Sequence, residues 1–196
     1  MPDDPPPVPE DASSQEHTMH VTRRLFLAGA VTLGLAACSS TPVSPVGPTE
    51  PVTLVSAFEG KRTGKGLFRI WLTGSERRFT ARLNGRVTGP PGQRTLTVVE
   101  DFAFDDGQQD RLTWVFRETG PGRWSGKRED TVGKATVIEK DGTIRLTYTA
   151  DFKSLDAVTR LGFSDLIYQQ PDGTLVNDGI VTRKGVPVAA VRFVIR

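Results

Sequence analysis

A glutamate stands where a hydrocarbon is expected. In VVEDFAFDDGQQDRLTWVFR, residues 98–117, side chains two apart share one side of an extended chain, so Glu100 lies among Leu96, Val98, Phe102 and Phe104. A carboxylate in that position either meets a cation or has its pKa raised by desolvation. With Asp106, Arg111, Asp130 and Asp165 it could form a polar cluster at a barrel mouth. Such a cluster would fix the head of a ligand whose apolar body lies along Trp71, Trp114 and Tyr148. The alternative is a structural acid bonded to Arg111 or to a backbone turn, with Asp105-Asp106-Gly107 serving only as turn chemistry, and this is the role expected. A pair such as Glu100 with Asp130 has the residue types for glycosidase-type acid/base work, but nothing in the spacing singles it out. The acids between 100 and 110 lack the alternating oxygen ligands and closing Glu of a helix-loop-helix calcium loop, so no metal is expected.

Composition removes further chemistries. The chain has 196 residues, with 20 Gly, 14 Pro, two His, two Met and one Cys. His17, His20 and both methionines fall within the first 37 residues, and the cysteine is Cys38. If that segment is cut away, the body has no imidazole for a Ser-His-Asp arrangement, no His or Cys cluster for zinc and no possible internal disulfide. Neither an enzyme nor a cofactor is expected. The chemical alternative is a histidine-free, carboxylate-dependent hydrolase built on Glu100, Asp106 and Asp130. Residues 1–37 carry two basic and five acidic side chains, leaving 23 basic against 18 acidic, so the body is mildly basic. Arg77, Arg78, Arg82 and Arg86 recur along one run. They are expected to be a solvated strand face, whose partners at a membrane would be lipid phosphates rather than nucleic acid.

The elements that would position these groups are strands. The central run folds back across Asp105-Asp106-Gly107, with Leu112, Trp114 and Phe116 on one face of the return and Arg111, Thr113 and Arg117 on the other. Residues 66–72, 77–87, 124–138 (interrupted at Gly133) and 143–152 alternate in the same way, with a helical stripe conceivable only over 154–161. Turns at Asp141-Gly142, Pro171-Asp172-Gly173 and Lys184-Gly185 separate further strands over 162–170, 174–183 and 186–196. This predicts an all-β fold, a single antiparallel β-barrel of about eight to ten strands closed to avoid exposed edges.

The N-terminal third addresses the chain. Residues 1–18 are rich in Pro and acids, predicting a disordered extension that precedes the true start at Met19. Residues 19–37 have the basic front, apolar middle and small-residue end of a signal peptide, too short to span comfortably as a helix. Thr22-Arg23-Arg24-Leu25-Phe26-Leu27 looks like the twin-arginine export pattern, with Ala28 where a Lys often follows, and Leu35-Ala36-Ala37-Cys38 resembles a bacterial lipobox whose cysteine is acylated. Residues 38–53 then read as an acylated cysteine and flexible tether, and 54–196 as the barrel domain. The expected location is the bacterial envelope, lipid-anchored and facing the periplasm. Ser39 favours the outer membrane on the sorting rule of enteric bacteria. The partners implied are the membrane, reached through the anchor, and the twin-arginine export and lipoprotein-processing machinery.

A set of residues runs through the body: Phe58-Glu59-Gly60, Glu100-Asp101-Phe102, Asp105-Asp106-Gly107, Arg111, Trp114, Gly126, Asp130, Gly133, Ala135, Tyr148, Asp165, Tyr168, Asn177 and Lys184-Gly185. In this order they resemble an uncharacterised family of bacterial envelope lipoproteins, domain-of-unknown-function family thirty-eight thirty-three. The resemblance covers Phe58 to Arg196 and implies a single lipocalin-like β-barrel without an assigned activity. The chain departs from the pattern at Ser164-Asp165-Leu166-Ile167-Tyr168, with one Asp and a Leu where the family tends to have an Asp pair followed by an aromatic. The expected function is binding or carrying an apolar small molecule or lipid. The alternative is a structural or accessory lipoprotein that docks on an envelope complex.

Overall fold

The alternating runs become ten antiparallel strands in a computed structural model that describes Pro45, Gly47 and residues 49–154 and 157–196. They are β1 (Gly60–Ile70), β2 (Glu76–Thr88), β3 (Thr95–Phe104), β4 (Gln109–Gly120), β5 (Arg123–Lys127), β6 (Ala135–Lys140), β7 (Thr143–Ser154), β8 (Ala157–Gln169), β9 (Leu175–Arg183) and β10 (Val186–Ile195). Each pairs with its successor, and β10 returns to β1 from Gly64↔Ile195 to Ile70↔Ala189, closing the barrel. Among the described residues no edge strand is left open, which is what closure achieves for a meander of half-polar strands.

The period of two decides what lies inside. On β3, Leu96, Val98 and Glu100 are buried, and on β4 Trp114 and Phe116 are, as the alternation requires. Because the strands run up and down in sequence, the β1–β2, β3–β4, β5–β6, β7–β8 and β9–β10 connections share one end of the barrel. The opposite end is filled by Leu83, Leu96, Trp124, Val137, Ile144 and Leu175, all nearly or fully buried.

That end is sealed by a helix. One turn, α1 (Leu54–Phe58), starts at Thr53, whose hydroxyl accepts from Ser56 N at 3.1 Å while Ser56 Oγ accepts from Thr53 N at 3.0 Å. This reciprocal capping box satisfies amide donors at the start of the helix. Leu54 N donates to Glu139 Oε1 at 2.8 Å, and Trp124 Nε1 donates to the same oxygen at 3.0 Å. A Cβ placed on Gly85 would lie 1.6 Å from the Phe58 carbonyl oxygen, so only glycine lets β2 pass under the helix. Gly85→Ala is expected to lower stability by about 1–3 kcal/mol through backbone displacement of α1. Urea unfolding measures the loss, and faster proteolysis near residues 53–59 would locate it.

Four sequence expectations are corrected. The run 154–161 is not a helix: β7 continues to Ser154 and β8 begins at Ala157, because pairing with β7 (Asp151↔Arg160, Ala150↔Leu161) claims the backbone. Helix forms instead at α1, where no stripe was read. β1 ends at Ile70, turned by Ile70 N donating to Ser75 O at 2.9 Å, so Leu72 lies in the turn and is 92% exposed. The tether does not stay unpaired to residue 53. Glu50 N donates to Gln169 O at 2.9 Å, Val52 N donates to Gly142 O at 3.1 Å, and Val52 is buried. Residues 1–44, and with them Met19, Arg23, Arg24 and Cys38, lie outside the described residues.

Candidate functional site: a polar cluster inside an aromatic cavity

The barrel encloses a cavity of about 430 Å³ that reaches from Phe58 of α1 to Asp151 and Phe152 towards the far end of β7, within the range of roughly 300–1,000 Å³ usual for small-molecule sites. Its walls are aromatic: Phe68, Phe79, Phe102, Trp114, Phe163 and Phe193 line it. Rings meet edge-on or stacked, as with Phe79 and Phe102 at 5.6 Å and Tyr148 and Phe163 at 4.6 Å between centroids.

In this wall lies a buried charge cluster centred on Arg128. Strand alternation points Trp124 and Gly126 inward, and Arg128 follows as the next inward position beyond the end of β5. The turn after it is held by Thr131, whose hydroxyl accepts from Arg128 N at 3.0 Å and donates to Arg128 O at 2.8 Å. Arg128 donates through Nε and Nη2 to Asp130 at 2.7 and 2.9 Å, a bidentate pair. Its Nη1 stands 3.7 Å from Glu100 Oε2, close enough for attraction but beyond hydrogen-bond length. The guanidinium lies 4.8 Å from the Trp114 ring centre and 5.3 Å from that of Tyr148, a cation–π arrangement.

Burial sets the protonation states. It raises Glu100 to about 7, opposed by Arg128 and reinforced by the charges of Asp130 and Glu129. Burial likewise raises Asp165 to about 7, with Arg128 and a hydrogen bond from Asn177 opposing and Glu100 reinforcing. The Tyr148 phenol is pushed upward by burial and stays neutral. Burial also opposes the charge on Arg128, yet Tyr148, Asp130 and Glu100 together hold its pKa above the ordinary value. Among the described residues, Glu100 Oε2, Asp165 Oδ1 and Asn177 Oδ1 are buried without a hydrogen-bond partner. Gly179 makes room for Asp165: a Cβ there would lie 2.2 Å from Oδ1.

The structure brings together Glu100, Trp114, Asp130, Tyr148 and Asp165 from the residues that the sequence singled out, and leaves out three others. Arg111 is on the outer face of β4, its side chain 71% exposed and paired with Asp101 at 2.5 Å, because it sits one position from the inward Leu112. It therefore cannot serve as the partner expected for Glu100; that partner is Arg128. Asp106 sits in the β3–β4 turn and accepts from Arg77 Nε at 2.7 Å, away from the buried cluster. Trp71 lies in the β1–β2 turn, 47% exposed, and does not line the cavity. Of the arginines on β2, Arg78, Arg82 and Arg86 are exposed, whereas Arg77 sits 3.7 Å over the Phe104 ring. The residue missed was Arg128, and the available signal was the alternation Trp124, Gly126, Arg128.

A family model matches residues 32–196. The chain belongs to the family described as protein of unknown function DUF3833. As a DUF3833 member it has a lipocalin-like barrel, and its fold is similar to that of a solved S-type phycobiliprotein lyase from Guillardia theta. The TM-score is 0.52 at 9% identity, covering 70% of this chain and 86% of that one. No match was found among curated proteins.

Proposed function

We propose that this DUF3833 protein is an exported, lipid-anchored envelope lipoprotein whose barrel binds or carries an apolar small molecule or lipid. The observation that carries the reading is the cavity: large aromatic walls surround a few convergent polar groups with perturbed pKa values, the usual make-up of a ligand site. The barrel's open end adds support. Ile70, Trp71 and Leu72 at the β1–β2 turn, Phe152 and Val158 near the β7–β8 tip and Val186 beside the β9–β10 turn are exposed large apolar groups at that end. An apolar rim around a cavity mouth gives an apolar ligand a route in from a bilayer without crossing open water. The solved protein of similar fold is named a lyase of phycobiliproteins, which is in keeping with a barrel of this type receiving a ligand.

The anchor reading rests on the sequence: Arg23-Arg24 for export and Cys38 for acylation, followed by the Pro-rich run 39–51. Two or three acyl chains, each methylene contributing about 0.8 kcal/mol on burial, hold such a body at the membrane. Two measurements test the whole. Cys38→Ser is expected to abolish incorporation of labelled palmitate and shift the protein to the soluble fraction; unchanged labelling would remove the anchor. Native mass spectrometry of protein purified from its own host is expected to show a bound small molecule lost on organic extraction. A ligand-free mass in every preparation would count against the carrier role.

A further inference from the structure

We infer that the head received by this cavity is a hydrogen-bond-donating cation, an ammonium group on an apolar body; the inference rests on the binding role proposed above. The oxygens that lack a hydrogen-bond partner, Glu100 Oε2, Asp165 Oδ1 and Asn177 Oδ1, come from three different strands, β3, β8 and β9, and all are buried. Glu100, Asp165 and Asn177 all line the same cavity. Ionised carboxylate and amide oxygens only accept, and an ammonium offers three N–H donors and no acceptor. While both carboxyls are ionised, as at pH 8, the same atoms offer a carboxylate or phosphate head no donor.

The charges point the same way. Among the described residues Arg128 is the one basic side chain lining the cavity, against Glu100, Asp130 and Asp165; Asp151, also in the lining, is paired with Arg160 at 2.8 Å. Its Nε and Nη2 are already donating to Asp130 and its Nη1 faces Glu100, so an anionic head would displace an existing pair rather than find a free cation. An ammonium supplies the positive charge that Arg128 alone does not. The Phe102 and Phe163 rings in the wall add faces that attract a cation stripped of water.

The test titrates the full-length protein at pH 8 with decylamine, decanoate and decanol, each below its aggregation concentration, following the intrinsic tryptophan fluorescence, to which Trp114 in the wall contributes. Decylamine is expected to bind about tenfold or more tighter than either other chain. Asp165→Asn and Glu100→Gln are each expected to weaken the amine about tenfold while moving decanol by less than about twofold. Each substitution replaces a buried acid by an amide of the same shape, and thermal melting confirms folding; either variant alone suffices. Decanoate binding as tightly as the amine, or amine affinity indifferent to both substitutions, would overturn the ammonium assignment and leave the cavity as a binding site. If none of the three chains bound, the binding role itself would fall with it.

Discussion

Arg128→Met is expected to destabilise the barrel by about 3–5 kcal/mol at pH 8, the cost of removing one partner from a buried charge cluster. Methionine fills a similar volume, so the loss is electrostatic rather than a cavity effect. Without the guanidinium, Glu100 and Asp165 lose the opposing charge that partly offsets their burial, and Asp130 loses a bidentate partner. The loss should shrink toward pH 5, where Glu100 and Asp165 are protonated and no longer need a cation. Urea unfolding at both pH values measures it, and adding Glu100→Gln to Arg128→Met should restore part of the stability at pH 8. A loss below about 1 kcal/mol at pH 8 would mean that Arg128 does not hold the cluster together, since surface charge changes lie in that range.

The wild-type barrel is expected to be more stable at pH 5 than at pH 8, the reverse of a protein dominated by surface ion pairs. Glu100 and Asp165 have ordinary values of 4.5 and 3.8 and stand at about 7 in the folded protein. Between those limits the folded state binds more protons than the unfolded one, so stability falls with rising pH. Their contribution is fully present below about pH 4 and lost as pH rises through about 7. Shifts of this size in two coupled groups correspond to a few kcal/mol, or about 5–10 °C in melting temperature for a chain of this length. Glu118 acts oppositely but in a different window: the Arg94 hydrogen bonds hold it at about 2, so its support is lost only as pH falls below its ordinary range. Melting temperatures from pH 4.5 to 8.5 check the sign. In the Glu100→Gln/Asp165→Asn double variant the decline should flatten, and a wild-type profile that rises through this range would refute the assignment.

The strands were legible because closure of a meander leaves one face of most strands dry, and a dry face writes itself into the sequence as a period of two. Thr143–Ser154 shows this well, with Ile144, Leu146 and Ala150 buried and Arg145 and Thr147 exposed. The same periodicity marked Glu100 as inward, which requires only its neighbours two and four residues away. It also set Arg111 outward on its own strand, so its place in the proposed cluster depended on a contact between strands that the local pattern did not support. α1 was missed because a helix of one turn is too short for a stripe and is held by Glu139 and the capping box rather than by its own propensity.

By itself the sequence determined a histidine-free, single-cysteine body of alternating strands, its turns, the inward position of one glutamate, and the family pattern that the chain carries. Only the tertiary structure decided that β10 closes on β1, that α1 seals one end, and that Glu100, Arg128, Asp130, Tyr148 and Asp165 meet in one cavity. Periodicity reports which way a side chain points from its own backbone. Which side chains face each other across a barrel depends on strand number, register and closure, and those are properties of pairings between residues far apart in the chain.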